Sequence, residues 1–143
     1  MYQKGKSFEE IQIGDKASFA KTITETDVYL FAGISGDFNP LHVDEEYAKT
    51  TDFKTRIAHG GLAASLLANV LGMKLPGLGT IALEVTQKFR NPVYFGDTVT
   101  VTVEVTKKVD RMKVVEMNIL WTNQKGQVVS KGSCRAIPPT KEV

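Results

Sequence analysis

Residues 61 to 71 read Gly-Leu-Ala-Ala-Ser-Leu-Leu-Ala-Asn-Val-Leu, a helix-forming stretch without a charge and apolar at nearly every angle around a helical axis. A helix without a wet face must be covered on most sides. The second half of the chain supplies the cover. Val99, Val101, Val103 and Val105 alternate with Thr98, Thr100, Thr102, Glu104 and Thr106, which predicts a strand with one apolar and one polar face. Ile81, Leu83, Val85, Gln87 and Phe89 repeat the pattern with one polar member. Residues 113–122 and 127–137 predict two more strands, joined near Asn123-Gln124-Lys125-Gly126, and residues 17–23 a fifth. Short links between successive strands predict an antiparallel sheet. A sheet curled around the apolar helix lets each bury the other, so the expected class is α+β, an antiparallel β-sheet wrapped around a central helix.

The first half carries turn and helix signals. Thr24 is placed to cap a helix from Glu25 to about Gly33, with Asp27 serving its first turn, and a short helix is expected from Asp44 to Ala48. The apolar helix is expected to end at Gly72. With 143 residues and no internal repeat or linker, the chain predicts a single domain spanning 1–143, loose only in the tail 138–143.

Charge excludes several classes of partner. The 18 basic and 16 acidic side chains leave a net charge of +2 without a basic run, so neither nucleic acid nor a membrane surface is expected to bind. Residues 57–73 lack Asp, Glu, Lys and Arg, but they are few and broken by His59, Gly60, Gly61 and Asn69, which argues against a membrane span. Met1 to Lys6 is basic without an apolar stretch after it, so no ordinary secretory signal is expected. The one cysteine, Cys134, cannot form an internal disulfide. That suits a reducing compartment, and a cytoplasmic location is expected.

Reactive side chains concentrate in Gly36-Asp37-Phe38-Asn39-Pro40-Leu41-His42. Gly36 and Asn39-Pro40 mark a turn between elements. Asp37 and Asn39 suit an Asx-type turn that bonds local backbone. A carboxylate and an imidazole on one stiff loop also suit general acid–base chemistry on a single water. One aspartate and one or two histidines are few ligands for zinc, so no metal is expected. A second constellation, Arg56-Ile57-Ala58-His59-Gly60-Gly61, leads into the apolar helix. Its small residues permit close approach, and free N–H groups at a helix start suit a developing oxyanion; a tight turn into the helix is the plainer reading. Ser65 is expected to bond back to the preceding turn, since no Gly-x-Ser-x-Gly elbow surrounds it.

The stretch from Phe31 to His42, followed by Ala48 and Ala58-His59-Gly60, resembles the MaoC-like family of (R)-specific enoyl-CoA hydratases. Residues 8–15 and 89–97 look like family segments too, so the resemblance covers nearly the whole chain. It implies the hot-dog fold, and it implies that Asp37 and His42 together polarise a water that adds to a trans-2-enoyl thioester. It further implies that the Gly60 N–H binds the thioester oxygen and that Asn39 shapes the loop. No metal or redox cofactor is implied; coenzyme A is part of the substrate, with acyl carrier protein as the other carrier. A homodimer joined through sheet edges is expected. Gly61 stands where relatives frequently carry a bulkier apolar residue, which bears on the acyl pocket. Ala64, Ala68 and Leu71, at i, i+4 and i+7, form one stripe that is the candidate acyl wall. Lys54, Arg56, Lys74, Lys88 and Arg90 are candidate phosphate contacts. Two other readings are a thioesterase of the same fold, whose carboxylate would sit on the central helix where residues 61–71 have none, and a non-catalytic module binding acyl thioesters.

Overall fold

A computed structural model describes residues 1–141. Five strands, β1 (Lys16–Thr22), β2 (Ile81–Phe89), β3 (Thr98–Val109), β4 (Val114–Thr122) and β5 (Val128–Ile137), form one antiparallel sheet in the order β1-β3-β4-β5-β2. Five helices accompany them: α1 (Glu25–Ser35), α2 (Pro40–Val43), α3 (Glu45–Ala48), α4 (Gly60–Ser65) and α5 (Leu67–Met73). The α+β hot-dog architecture stands as expected.

Register explains why the alternating pattern builds a concave apolar face. Phe19 pairs with Val101, Val101 with Trp121, Trp121 with Ser130 and Ser130 with Phe89, so these five side chains run as one row across the sheet. A second row runs through Ala17, Val103, Ile119, Gly132 and Gln87. Helix α5 packs over the β1 and β3 end of these rows, burying Leu67, Val70 and Leu71 against them. Across this contact Val99, Val101, Val103 and Trp121 are all fully buried. Removing such side chains from water is the main stabilising term of the fold.

Four differences from the sequence reading have physical causes. The apolar helix is two pieces, α4 and α5, because Leu66 N–H bonds Ala63 O at 3.2 Å and Asn69 N–H bonds Leu66 O at 3.2 Å, a tightening in three-residue steps. Its cover is also partial: Gly61, Ser65 and Ala68 are exposed in the single chain, since the sheet reaches only one side. Strand β2 makes no hairpin with β3 but crosses to the far edge to pair with β5. A bulge between Ala82 and Glu84 then splits its apolar set, leaving Val85 and Phe89 on the concave side and turning Ile81 away. Finally, the tail is tied down as far as Lys141, whose ammonium lies 2.8 Å from Glu10 Oε1, while Lys4 Nζ donates to Thr140 O at 2.8 Å. Glu142 and Val143, also expected to be loose, lie outside the described residues.

The candidate active site

The loop that holds Asp37 is bounded by two helix caps. Thr24 and Asp27 form a capping box at the start of α1, and Gly36 ends that helix with φ +78°, a left-handed conformation that glycine adopts without strain. Beyond it, Asp37 Oδ1 accepts the Asn39 N–H at 3.1 Å, and Asn39 Oδ1 accepts the Leu41 N–H at 3.0 Å. The expected Asx-type bonds are therefore present. They coexist with a free carboxylate oxygen, because one acceptor of Asp37 is spent on the turn and Oδ2 is not.

Helix α2 swings His42 back beneath this loop. Its Nδ1 lies 2.7 Å from Ile57 O, and a carbonyl can only accept, so Nδ1 carries the hydrogen. In the neutral ring Nε2 then keeps its lone pair, and it faces Asp37 Oδ2 at 3.9 Å. Two acceptors at that spacing cannot bond each other, but each can receive one hydrogen of a water held about 2.8 Å from both. His42 is buried, while half of the Asp37 side chain is exposed, so the pair opens outward.

The second histidine joins the same site. The His59 ring stacks on His42 with centroids 3.9 Å apart and planes 30° apart, and its Nε2 lies 2.9 Å from the Asp37 carbonyl oxygen. One nitrogen or oxygen each from Asp37, His42 and His59 lies within 4.8 Å of the other two, so the three side chains form one cluster. Nothing local in the sequence pointed to this stacking, because the two rings meet only through the fold. The signal was that the chain's only two histidines lie in the two constellations singled out.

Gly60 follows His59 and opens α4, where the first N–H groups have no partner within the helix. A Cβ at Gly60 would lie 2.3 Å from Phe89 Cε1, so the missing side chain admits the Phe89 ring over the helix start. Beside it lies a cavity of about 270 Å³, bounded by Ile57, Ala58, Gly60, Ala63, Phe89 and Ser130 among others. The Ser130 hydroxyl has no hydrogen-bond partner there. A larger groove of about 540 Å³ lies on the outer face of the sheet between Lys16, Lys88 and Lys131, and neither cavity is lined by Asp37 or His42. Only the smaller one borders Gly60 and Ile57, whose carbonyl holds His42.

Several expected contacts fall elsewhere. Arg56 is spent inside the molecule: its guanidinium lies 3.0 Å from Glu25, 2.6 Å from the Tyr29 hydroxyl and 3.5 Å from Glu45, over the Phe95 ring at 4.7 Å. It ties α1 and α3 to the segment carrying Ile57 O and is not free for phosphate. The Thr55 hydroxyl at 2.9 Å, with Arg56 assisting, holds the Glu45 carboxyl below its ordinary range. Lys74 donates to Ser18 O and is likewise engaged. Ala64 is half-buried, Ala68 exposed and Leu71 buried in the core, and none of them bounds the cavity beside Gly60. The helix break between Ala64 and Ala68 interrupts their stripe. At Gly61 the space of a larger side chain is taken by Phe31, whose Cζ would lie 3.0 Å from a Cβ there. Ser65 Oγ bonds Leu62 O at 2.6 Å, as expected of a serine on an apolar helix. Cys134 is buried, and burial pushes its thiol up to about 12.

A MaoC-like domain model matches residues 9–125. The chain belongs to the MaoC-like family. Residues 37–42 and 58–60, which build the site, fall inside that match. The MaoC-like chain is 51% identical over 134 residues to an (R)-specific enoyl-CoA hydratase of Rhodospirillum rubrum, covering 94% of this chain and 92% of the relative. It is 40% identical to a 3-hydroxybutyryl-CoA dehydratase of Methylorubrum extorquens over 136 residues, covering 94% of this chain and 85% of the relative. Its fold superposes on an unliganded R-hydratase of Pseudomonas aeruginosa with a TM-score of 0.91 at 39% identity, covering 98% of this chain and 90% of that one.

Proposed function

We propose that this MaoC-like protein is an (R)-specific enoyl-CoA hydratase, running reversibly as a 3-hydroxyacyl-CoA dehydratase, a hydro-lyase. The observation that carries the reading is the 3.9 Å gap between Asp37 Oδ2 and His42 Nε2, both oriented to accept from one water. In the hydration direction one member of the pair takes one proton of that water as its oxygen bonds the β-carbon of the enoyl thioester, and the other hydrogen stays on the new hydroxyl. The proton so held is then delivered to the α-carbon, and the pair returns to its starting state. Charge that collects on the thioester oxygen is met by the Gly60 N–H, a donor set in place before the reaction. Asn39 acts on the loop through its cap to Leu41. Every step is a proton transfer or an addition, so the proposal needs no metal and no redox cofactor; coenzyme A enters as part of the substrate. The (R) configuration and the carrier rest on the named relatives. The thioesterase reading stays weaker, because residues 60–73 carry no carboxylate.

The reading includes a homodimer. Strand β2 is an unpaired edge, and Leu83, Val85 and Phe89 are exposed along it, with Leu30, Ile34 and Phe38 exposed around the catalytic loop. Apolar side chains gathered on an edge strand invite a second copy. On this reading the exposed side of α4 and α5, where Ala68 lies, closes against the partner. No helix among the described residues is long and apolar enough to cross a membrane. The lone, unpaired Cys134 supports a cytoplasmic location.

The deciding assay follows loss of enoyl absorbance with crotonyl-CoA and assigns the product by its oxidation with an (R)-selective dehydrogenase. An inert crotonyl-CoA, or an (S) product, would sink the reading.

A further inference from the structure

We infer that His59 is the positioning residue of the Asp37–His42 pair, holding the backbone of one member and the ring plane of the other. The inference rests on the hydratase reading for its kinetic consequence, but the geometry stands on its own. His59 is only 3% exposed, yet as N-cap of α4 it makes no side-chain capping bond, so its polar ring is not there to start the helix. Its Nε2 lies 2.9 Å from the Asp37 carbonyl oxygen, across 22 residues of sequence. That carbonyl can only accept, so Nε2 carries the hydrogen, and Nδ1 remains buried without a partner. An orphaned buried nitrogen is unfavourable, and an apolar ring would fill the same space without it. Packing alone therefore does not account for a histidine here; the bond to Asp37 does.

The neighbours of Asp37 show why that bond matters. Its N–H donates to Ser35 Oγ at 3.1 Å and its Oδ1 accepts from Asn39 N–H, both within the same loop. Gly36, immediately before it, has no side chain to restrain the loop. The His59 bond is what ties Asp37 to the segment that also carries Ile57 O, the anchor of His42. On the other side, a single hydrogen bond to Ile57 O fixes one edge of the His42 ring but leaves it free to tilt about that edge. The stacked His59 ring blocks the tilt, and it is itself backed by Phe31 at 4.9 Å between centroids. His59 thus sets both ends of the 3.9 Å gap, and through Gly60, the next residue, it fixes the gap relative to the donor for the thioester oxygen.

Two substitutions separate the two duties. His59→Gln keeps a donor at similar reach and loses the ring; His59→Phe keeps the ring and loses the donor. Each is expected to lower kcat on crotonyl-CoA about 10- to 100-fold, in line with the cost of misplacing reacting groups by an ångström or less. KM should stay within about threefold of wild type, because neither duty touches the substrate. A second readout needs no turnover. Only two histidines exist, so either variant leaves His42 as the sole imidazole in an NMR spectrum of the substrate-free protein. Relaxation of its ring carbons is expected to report added mobility in His59→Gln, while the fold, followed by circular dichroism, persists. A His42 ring whose relaxation shows no more mobility in His59→Gln than in wild type overturns the inference whatever the enzyme does. So does a folded variant of either kind with kcat within about threefold of wild type. Wild-type protein inert toward crotonyl-CoA would instead refute the hydratase reading, leaving the NMR result to judge His59 separately.

Discussion

Lengthening one side chain by one methylene tests the geometry of the pair more sharply than deleting it. Asp37→Glu keeps the charge and advances the carboxylate by about 1.5 Å, the length of one carbon–carbon bond. The gap to His42 Nε2 is 3.9 Å, so the advanced oxygen comes within direct hydrogen-bond range or swings past the ring. In neither case can one water sit about 2.8 Å from both groups. The Asn39 N–H at 3.1 Å also loses its acceptor, which loosens the turn. A displacement of this size is expected to lower kcat by about 100-fold, which corresponds to about 2.7 kcal/mol of lost transition-state stabilisation. Asp37→Asn, which keeps shape and removes charge, is expected to lose at least as much, and adding His42→Ala should cost little further because the two act as a unit. Initial rates with crotonyl-CoA give kcat and KM, and thermal melting confirms that the half-exposed position leaves stability nearly unchanged. If Asp37→Glu turned over at close to the wild-type rate, the shared-water mechanism would be wrong.

At Gly60 an added methyl meets the Phe89 ring at 2.3 Å, but that ring is 62% exposed and can rotate away, so Gly60→Ala should raise KM and lower kcat with only a small loss in melting temperature. An unchanged profile would remove Gly60 from the thioester contact. Charge on the β2 edge, as in Val85→Lys, should convert a dimer into a monomer by light scattering, and a wild type already monomeric at micromolar concentration would refute the edge pairing. Leu71 is core, so Leu71→Ala is expected to lose about 2–5 kcal/mol of stability in chemical denaturation, with the chain-length preference unchanged. For Cys134 the folded thiol titrates near 12 against an ordinary value of 9.0, so between these values the unfolded chain releases a proton that the folded one keeps. Stability should therefore fall as pH rises above about 9, and Cys134→Ala should flatten that part of the curve in chemical denaturation measured across pH.

Periodicity and capping chemistry are local, and what depends on them was legible in residue order alone. The Val99–Val105 alternation marks the buried face of β3, the Thr24–Asp27 box starts α1, and Gly36 with Asn39 frames the Asp37 loop, because each involves partners a few residues apart. The proximity of Asp37 and His42, the proposed pair, was equally visible, since they lie five positions apart on one loop. Sequence order could not decide where β2 goes. Its pattern suits any apolar surface, and only the closed register with β5, bulge included, sends it to the edge and exposes Val85 and Phe89. Nor could it tell that Arg56 turns inward, since the carboxylates that hold it come from α1 and α3. The meeting of His59 with His42 belongs to the same class: 17 positions apart in the chain, the rings touch because α2 and the start of α4 are packed together. Contacts between distant segments are set by the single packing that buries the concave face of the sheet, and no residue pattern short of that packing specifies them.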